Sequence, residues 1–261
     1  MPTDVQTAGA AAAREPRADI ADALAASIFG GEYASGEMIP REIDLCTRFG
    51  VSRSTVRSAL QKLVNAGLVT RISGQGTRVR ELAAWHLLDP QVSDWMARYA
   101  RPNPQLQREV FAFRVAVEPF VTGLAATYAT AADLLAIESA HAGMLAALEA
   151  PDLCWQGMSH DDYDVAFHEA VFAASHNLIW AQISHVLKPA IAMIVARSNH
   201  SAGELDDSMA RHARVLEAIR LRQPEEAVEA ARAVLERTGR DLGMEELVRH
   251  PRVIGLPQAS P

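Results

Sequence analysis

Between residues 20 and 80 the spacing of apolar positions changes twice, and each change marks a different element. Ile20, Leu24 and Ile28, with Ala21 and Ala25, recur at helical spacing and stop at Gly30-Gly31, which predicts a short first helix. Ile43, Leu45 and Phe49 give a second short helix an apolar side, and Gly50 ends it where a turn needs positive φ. A third helix starts at once, with Ser52 as N-cap and Val56, Leu60, Leu63 and Val64 at the spacing of one buried face. After Gly67 the pattern becomes LVTRI, SGQG and TRVR, which reads as strand, glycine turn and strand. Residues 36–80 therefore predict a helix-turn-helix followed by a two-stranded wing.

From Pro104 onward the pattern is helical almost throughout. Leu106, Val110, Phe113, Val117, Val121, Leu124 and Tyr128 recur at steps of three and four, describing one long core helix. Further helices are predicted at about 131–149, 155–175, 177–200, 204–222 and 224–247, with no convincing alternating strand among them. The expected fold class is mainly α: an N-terminal winged helix-turn-helix with a small two-stranded wing, then an antiparallel all-α helical bundle. The expected organisation is a flexible tail (1–17), a winged-helix domain (18–80), an apolar linker containing Trp85 and Trp95 (81–103), the helical domain (104–249) and a short tail (250–261).

Charge turns this fold into a functional expectation. Residues 41–80 carry eight Lys/Arg and two acids, a net of +6 in a chain whose total is −7, so the remainder carries −13. A basic island on an acidic body fits a small reader of double-stranded DNA. Arg53 and Arg57 stand one turn apart opposite the packing face of the third helix, placed to fork onto guanine in a major groove, with the hydroxyls of Ser52, Ser54 and Thr55 beside them. The wing tip Gly74-Gln75-Gly76 has no bulk to keep its backbone from the sugar-phosphate chain, and Arg41, Arg71, Arg78 and Arg80 add charge around it. Cys46 and Cys154 form neither a disulfide framework nor a CxxC pair and are expected to be reduced structural thiols. No run of about eighteen apolar residues and no secretory leader is evident, so a cytoplasmic protein without a membrane span is expected.

In the helical half, Asp164 and His168 lie i, i+4 on one face, and His212 can bring a third ligand from another helix. A carboxylate and two imidazoles suit a divalent ion such as zinc, nickel or manganese. Those groups could instead activate water in a metal-dependent enzyme, but the chain holds no nucleophile elbow, phosphate loop or dinucleotide fingerprint. A DNA binder with a vestigial, ligand-independent pocket is the other alternative.

Residues 39–77, through Ile39-Pro40-Arg41-Glu42, Gly50-Val51-Ser52-Arg53, Val56-Arg57-Ser58-Ala59-Leu60, Ala66-Gly67-Leu68-Val69 and Ser73-Gly74-Gln75-Gly76-Thr77, resemble the winged helix of GntR-type regulators. Many members carry Arg after the Glu matching Glu42, where this chain has Ile43. The blocks around Arg114 to Pro119, Asp164 to Glu169 and His212 to Ile219 resemble the helical (FCD) effector domain of the FadR-type branch. The resemblance implies a metal centre on Asp164, His168 and His212, with a fourth histidine at the position occupied here by Val234. Trp85, Leu88, Asp89, Val92 and Trp95 resemble the linker of the galactonate-responsive subgroup. That resemblance implies a homodimeric repressor on a palindromic operator, released by a sugar-acid carboxylate such as an aldonate or keto-deoxy acid. Arg114 is then the expected carboxylate clamp unless it pairs with Glu118 on its own helix, and Arg197 with Asn199 is a second candidate.

Overall fold

The computed structural model describes residues 19–150, 152–202 and 205–249, and the two expected tails lie outside them. The chain divides into two compact units, at Trp85 and His86.

In the first unit, α1 (Ile20–Phe29), α2 (Glu42–Phe49) and α3 (Arg53–Asn65) enclose Leu24, Leu45, Val56, Leu60, Leu63 and Leu68, all essentially inaccessible. Asp19 caps α1 by accepting from the Ala21 amide, and Gly50 ends α2 at φ 63°, where a β-carbon would be strained. β1 (Val69–Ile72) pairs antiparallel with β2 (Gly76–Val79), matching Val69 with Val79 and Ile72 with Gly76. A bridge from Met38 to Arg78 continues this ribbon on its other side. The second helix departs from expectation, because Leu45 alone is fully buried while Ile43 is 51% exposed.

The second unit is a helical bundle: α4 (Pro90–Tyr99), α5 (Pro104–Tyr128), α6 (Ala131–Glu149), α7 (His160–Ala173), α8 (Leu178–Ala202), α9 (Leu205–Arg220), α10 (Pro224–Leu242) and α11 (Glu245–Arg249). α5 packs on α10, α6 on α7, and α9 on α10. Capping boxes start α6 (Thr130 with Asp133) and α7 (Ser159 with Asp162). Gly143 lets α6 approach α7 closely: a β-carbon there would stand 2.2 Å from the Tyr163 ring.

The residues of the expected linker are structured within each unit. Trp85 donates its indole N–H to the Arg80 carbonyl and meets the Phe29 ring edge-on at 4.9 Å. Asp89 caps α4, and Val92 and Trp95 are buried. Three further expectations are corrected. A two-residue hairpin, β3 (Cys154–Trp155) with β4 (Met158–Ser159), precedes α7, where no strand was expected. Cys154 is free, as expected, but exposed, so it has no packing role as a structural thiol. On α5 the buried stripe is Leu106, Val110, Phe111, Arg114, Glu118, Val121 and Ala125; Phe113, Val117 and Leu124 are half-buried and Tyr128 is exposed.

By length and mean hydropathy alone, α5 and α6 match membrane-spanning helices. The charged pair in the middle of α5 is buried against other helices of the bundle, as in a protein core.

Candidate DNA interface and candidate metal and effector site

The expected DNA-binding residues of the first unit are accessible. Arg41, Ser52, Arg53, Ser54, Thr55, Arg57, Arg71, Gly74, Gln75 and Arg78 are exposed and Gly76 is half-exposed. Ser52 caps α3 by accepting from the Thr55 amide, and its hydroxyl lies 2.8 Å from those of Ser54 and Thr55. The cap fixes the start of the helix from which Arg53 and Arg57 project. Gly74 and Gly76 adopt φ of 71° and 128°, which tightens the wing turn.

Glu42 joins these parts, a role the motif did not reveal. Its carboxylate accepts from Arg57 Nε at 2.9 Å and lies 3.5 Å from Arg71 Nη1. Arg71 in turn donates to the Arg57 carbonyl. One acid at the start of α2 thus holds an arginine of α3 and an arginine of the wing in register.

In the second unit, Asp164 and His168 of α7 and His212 of α9 converge. All three are buried, and one ligand atom from each lies within 4.8 Å of the others. His168 Nε2 and His212 Nε2 stand 3.3 and 3.6 Å from Asp164 Oδ1. Those separations are close to the roughly 3.4 Å edge of a tetrahedron with metal bonds of about 2.1 Å. His212 Nδ1 donates to the Ser208 carbonyl at 2.9 Å, which orients the ring with Nε2 toward Asp164. Phe167 sets both imidazoles by edge-on contacts, at 5.2 Å to His212 and 6.0 Å to His168. Asp164 Oδ1 and His212 Nε2 are buried without a hydrogen-bond partner, an arrangement that costs about 1–3 kcal/mol per group unless a ligand satisfies them. The residues therefore fit a divalent ion.

Arg114 and Glu118 lie behind His168. Arg114 Nε and Nη2 reach Glu118 at 2.5 and 3.3 Å, so the expected carboxylate fork is filled by the chain's own carboxylate. Arg114 Nη2 also lies 3.0 Å from His168 Nε2, the atom an ion would use, and His168 Nδ1 is 3.3 Å from Glu118. Burial alone would raise the Glu118 carboxyl, but Arg114 and His168 outweigh it and hold it at about 2. Burial also pushes His168 down, and the Glu118 carboxylate overrides it, raising the ring to about 9. Asp164 is held well below the usual carboxylate range because the His212 and His168 rings outweigh its burial. Loading an ion would require His168 Nε2 to give up its contact with Arg114 and any proton it carries.

The cluster opens on a cavity of about 20 Å³, room for one water-sized occupant. Its walls include Arg114, Asp164, His168 and His212, and also Arg211, Arg237 and Asp241, which sequence reasoning did not select. Val234 lines it too, so the position expected for a fourth ligand does face the site. Glu118 does not line the cavity and serves as the partner of Arg114 and His168. Arg197 does not line it either; it is exposed and donates to the buried Gln107 at 2.8 Å. His160 is buried at the start of α7 and does not line the cavity. The side chain of Asn199 lies outside the described residues.

Comparison with known proteins matches both units. Residues 16–79 match the model of bacterial regulatory proteins of the gntR family, and residues 109–237 match the FCD domain. The chain is 27% identical over 220 residues to the galactonate operon transcriptional repressor of Escherichia coli, covering 84% of this chain and 93% of that protein. It is also 27% identical over 235 residues to the Glc operon transcriptional activator of Escherichia coli, covering 88% and 90%. Among solved structures, Lar, which controls the expression of the Listeria monocytogenes agr system, shares the fold with a TM-score of 0.57. The identity there is 17%, over 88% of this chain and 99% of that one. The chain belongs to the GntR family of bacterial transcription regulators, with a winged helix-turn-helix in its N-terminal half and an FCD effector domain in its C-terminal half.

Proposed function

We propose that the protein is a homodimeric, cytoplasmic repressor of sugar-acid catabolic genes, released from a palindromic operator by a small hydroxylated carboxylate such as an aldonate or keto-deoxy acid. The observation that carries this reading is the union in one chain of an exposed arginine surface on a winged helix with a buried donor cluster at a cavity. Similarity to the galactonate operon repressor and the linker of Trp85, Asp89, Val92 and Trp95 support the sugar-acid class.

Asp164, His168 and His212 would hold a divalent ion, zinc, nickel or manganese, which supplies Lewis acidity toward the effector's oxygens. Val234 offers no donor atom, which would leave room at such an ion for the effector's oxygens. Val234→His is accordingly expected to tighten zinc binding by at least tenfold, measured by competition with a chelating dye. Unchanged affinity would show that this position does not reach the ion. Phe120, Tyr128, Leu178 and Ile179 expose apolar area on α5 and α8, which supports a dimer face in the helical unit.

Because the cavity holds only one water-sized occupant, a six-carbon acid must select a more open state. Differential affinity between states whose two winged helices fit and misfit the half-sites then releases DNA.

The test is fluorescence anisotropy on the protein's own upstream DNA, with aldonates, uronates and keto-deoxy acids, in zinc and in EDTA. Release by one acid, weakened in EDTA, is the expected result; DNA affinity unmoved by every acid would overturn the effector assignment. Activation is a second reading, favoured by the similarity to the Glc operon activator. A reporter fused to the same DNA separates the two, since deleting the gene raises expression only for a repressor.

A further inference from the structure

The Nε and Nη2 donors of Arg114 are committed to Glu118, so its fork is already filled by a carboxylate of the chain. Two other guanidiniums line the same cavity, Arg211 from α9 and Arg237 from α10. Arg237 stands one turn beyond Val234 and one turn before Asp241, so α10 turns this stripe toward the cavity.

One carboxylate already bridges the two arginines. Asp207 Oδ2 accepts from Arg211 Nη1 at 2.5 Å and lies 3.4 Å from Arg237 Nη1. Asp241 Oδ1 accepts from Arg237 Nε at 2.7 Å, which anchors that guanidinium from its far side. Both arginine side chains are 15% exposed, whereas Asp207 is 53% exposed and does not line the cavity. Arg211 Nη2 is buried without a hydrogen-bond partner on this side of the pair. A carboxylate held from outside by two largely buried guanidiniums, one with a donor unsatisfied, shows what chemistry the place accepts.

We propose, resting on the sugar-acid reading above, that Arg211 and Arg237 form a carboxylate subsite at the outer rim of the effector cavity and that Asp207, which holds their Nη1 donors from the solvent side in the ligand-free protein, is its internal competitor. An entering hydroxy acid replaces Asp207 on the pair and directs its hydroxyls toward Asp164, His168 and His212. The exchange conserves charge at the arginines, and the displaced Asp207 is returned to water, where an exposed carboxylate is well solvated. Asp207 sits in the first turn of α9, next to Ser208, whose carbonyl orients His212. Release of Asp207 therefore couples effector entry to the start of the helix that carries a metal ligand.

The experiment is isothermal titration of the zinc-loaded full chain with galactonate, citrate and the uncharged polyol galactitol, using wild type, Asp207→Asn, Arg211→Gln and Arg237→Gln. Galactonate is expected to bind wild type and galactitol not to. Asp207→Asn should tighten galactonate about tenfold, and each arginine variant should weaken it about 10–100-fold. Asp207 is more than half exposed, so its variant should fold even if an arginine variant does not. Its expected tightening also has the opposite sign to damage. Galactonate binding that none of the variants alters would overturn the subsite and keep the sugar-acid reading. Binding of citrate alone, with the expected variant responses, would keep the subsite and overturn that reading. If no acid binds wild type, both fall.

Discussion

Alanine at Arg114 is expected to lower global stability by about 3–5 kcal/mol, because it strips the partner from a buried carboxylate. Arg114 and Glu118 are 1% and 4% exposed, and the guanidinium holds both carboxylate oxygens. Urea denaturation at neutral pH should show the loss as an earlier midpoint. Replacing both partners, Arg114→Met with Glu118→Leu, should recover most of it, since no unpaired charge then stays inside. The pH dependence has a definite sign. Glu118 is depressed from 4.5 to about 2, so its contribution is full above about pH 4.5 and is lost as the pH falls through 2. The gap between wild type and the alanine variant should therefore narrow in acid, as Glu118 takes up a proton. A variant within about 1 kcal/mol of wild type at neutral pH would show that the pair is not formed. Loss of Arg114 also removes its contact with His168, so an alanine variant there disturbs the donor cluster as well as the ion pair. The exposed Asp207 is the cleaner probe of effector binding.

The winged helix was legible in the sequence because its signals are local. Ser52 caps α3 one turn before its apolar stripe begins at Val56, and glycines mark the turns of the wing. The cluster of Asp164, His168 and His212 was legible because two of its members share a helix face and His212 lies on a second helix with a clear inward stripe. What the sequence hid was non-local. On α5 periodicity gave weight to Phe113 and Val117, while the structure buries Arg114 and Glu118, which neutralise one another one turn apart. A hydrophobicity pattern has no means of scoring a satisfied ion pair as core. The β3–β4 hairpin has two residues per strand, too few for alternation to show. Arg211 and Arg237 are 26 positions apart on different helices, and only the packing of α9 on α10 brings them to one carboxylate. Glu42 looked like part of a motif, and its service to Arg57 and Arg71 needed the fold to be seen.

Removing both Arg53 and Arg57 should reduce operator affinity by about 10²–10⁴-fold, taking about 1–3 kcal/mol for each well-placed arginine on a base. Both project from the exposed side of α3, whose opposite side packs through Val56, Leu60 and Leu63, so the double alanine variant should keep its fold. Arg57→Ala and Arg53→Ala alone separate the two possible roles. If the arginine reads a base, its removal should relax sequence preference at one position. If it grips a phosphate, its removal should weaken all sequences alike and reduce the salt slope by about one. Anisotropy on operator and scrambled DNA at several salt concentrations measures both effects, and unchanged affinity in the double variant would remove α3 as the reading helix. Glu42 makes a further distinction. Its carboxylate restrains Arg57 and Arg71 but would also face the phosphates, so Glu42→Gln should raise affinity for scrambled DNA more than for the operator. Ile43 stands exposed beside it, where the family resemblance places an arginine. A protein that lacks that cation depends more heavily on the arginines Glu42 holds, and its discrimination between sequences should fall with them.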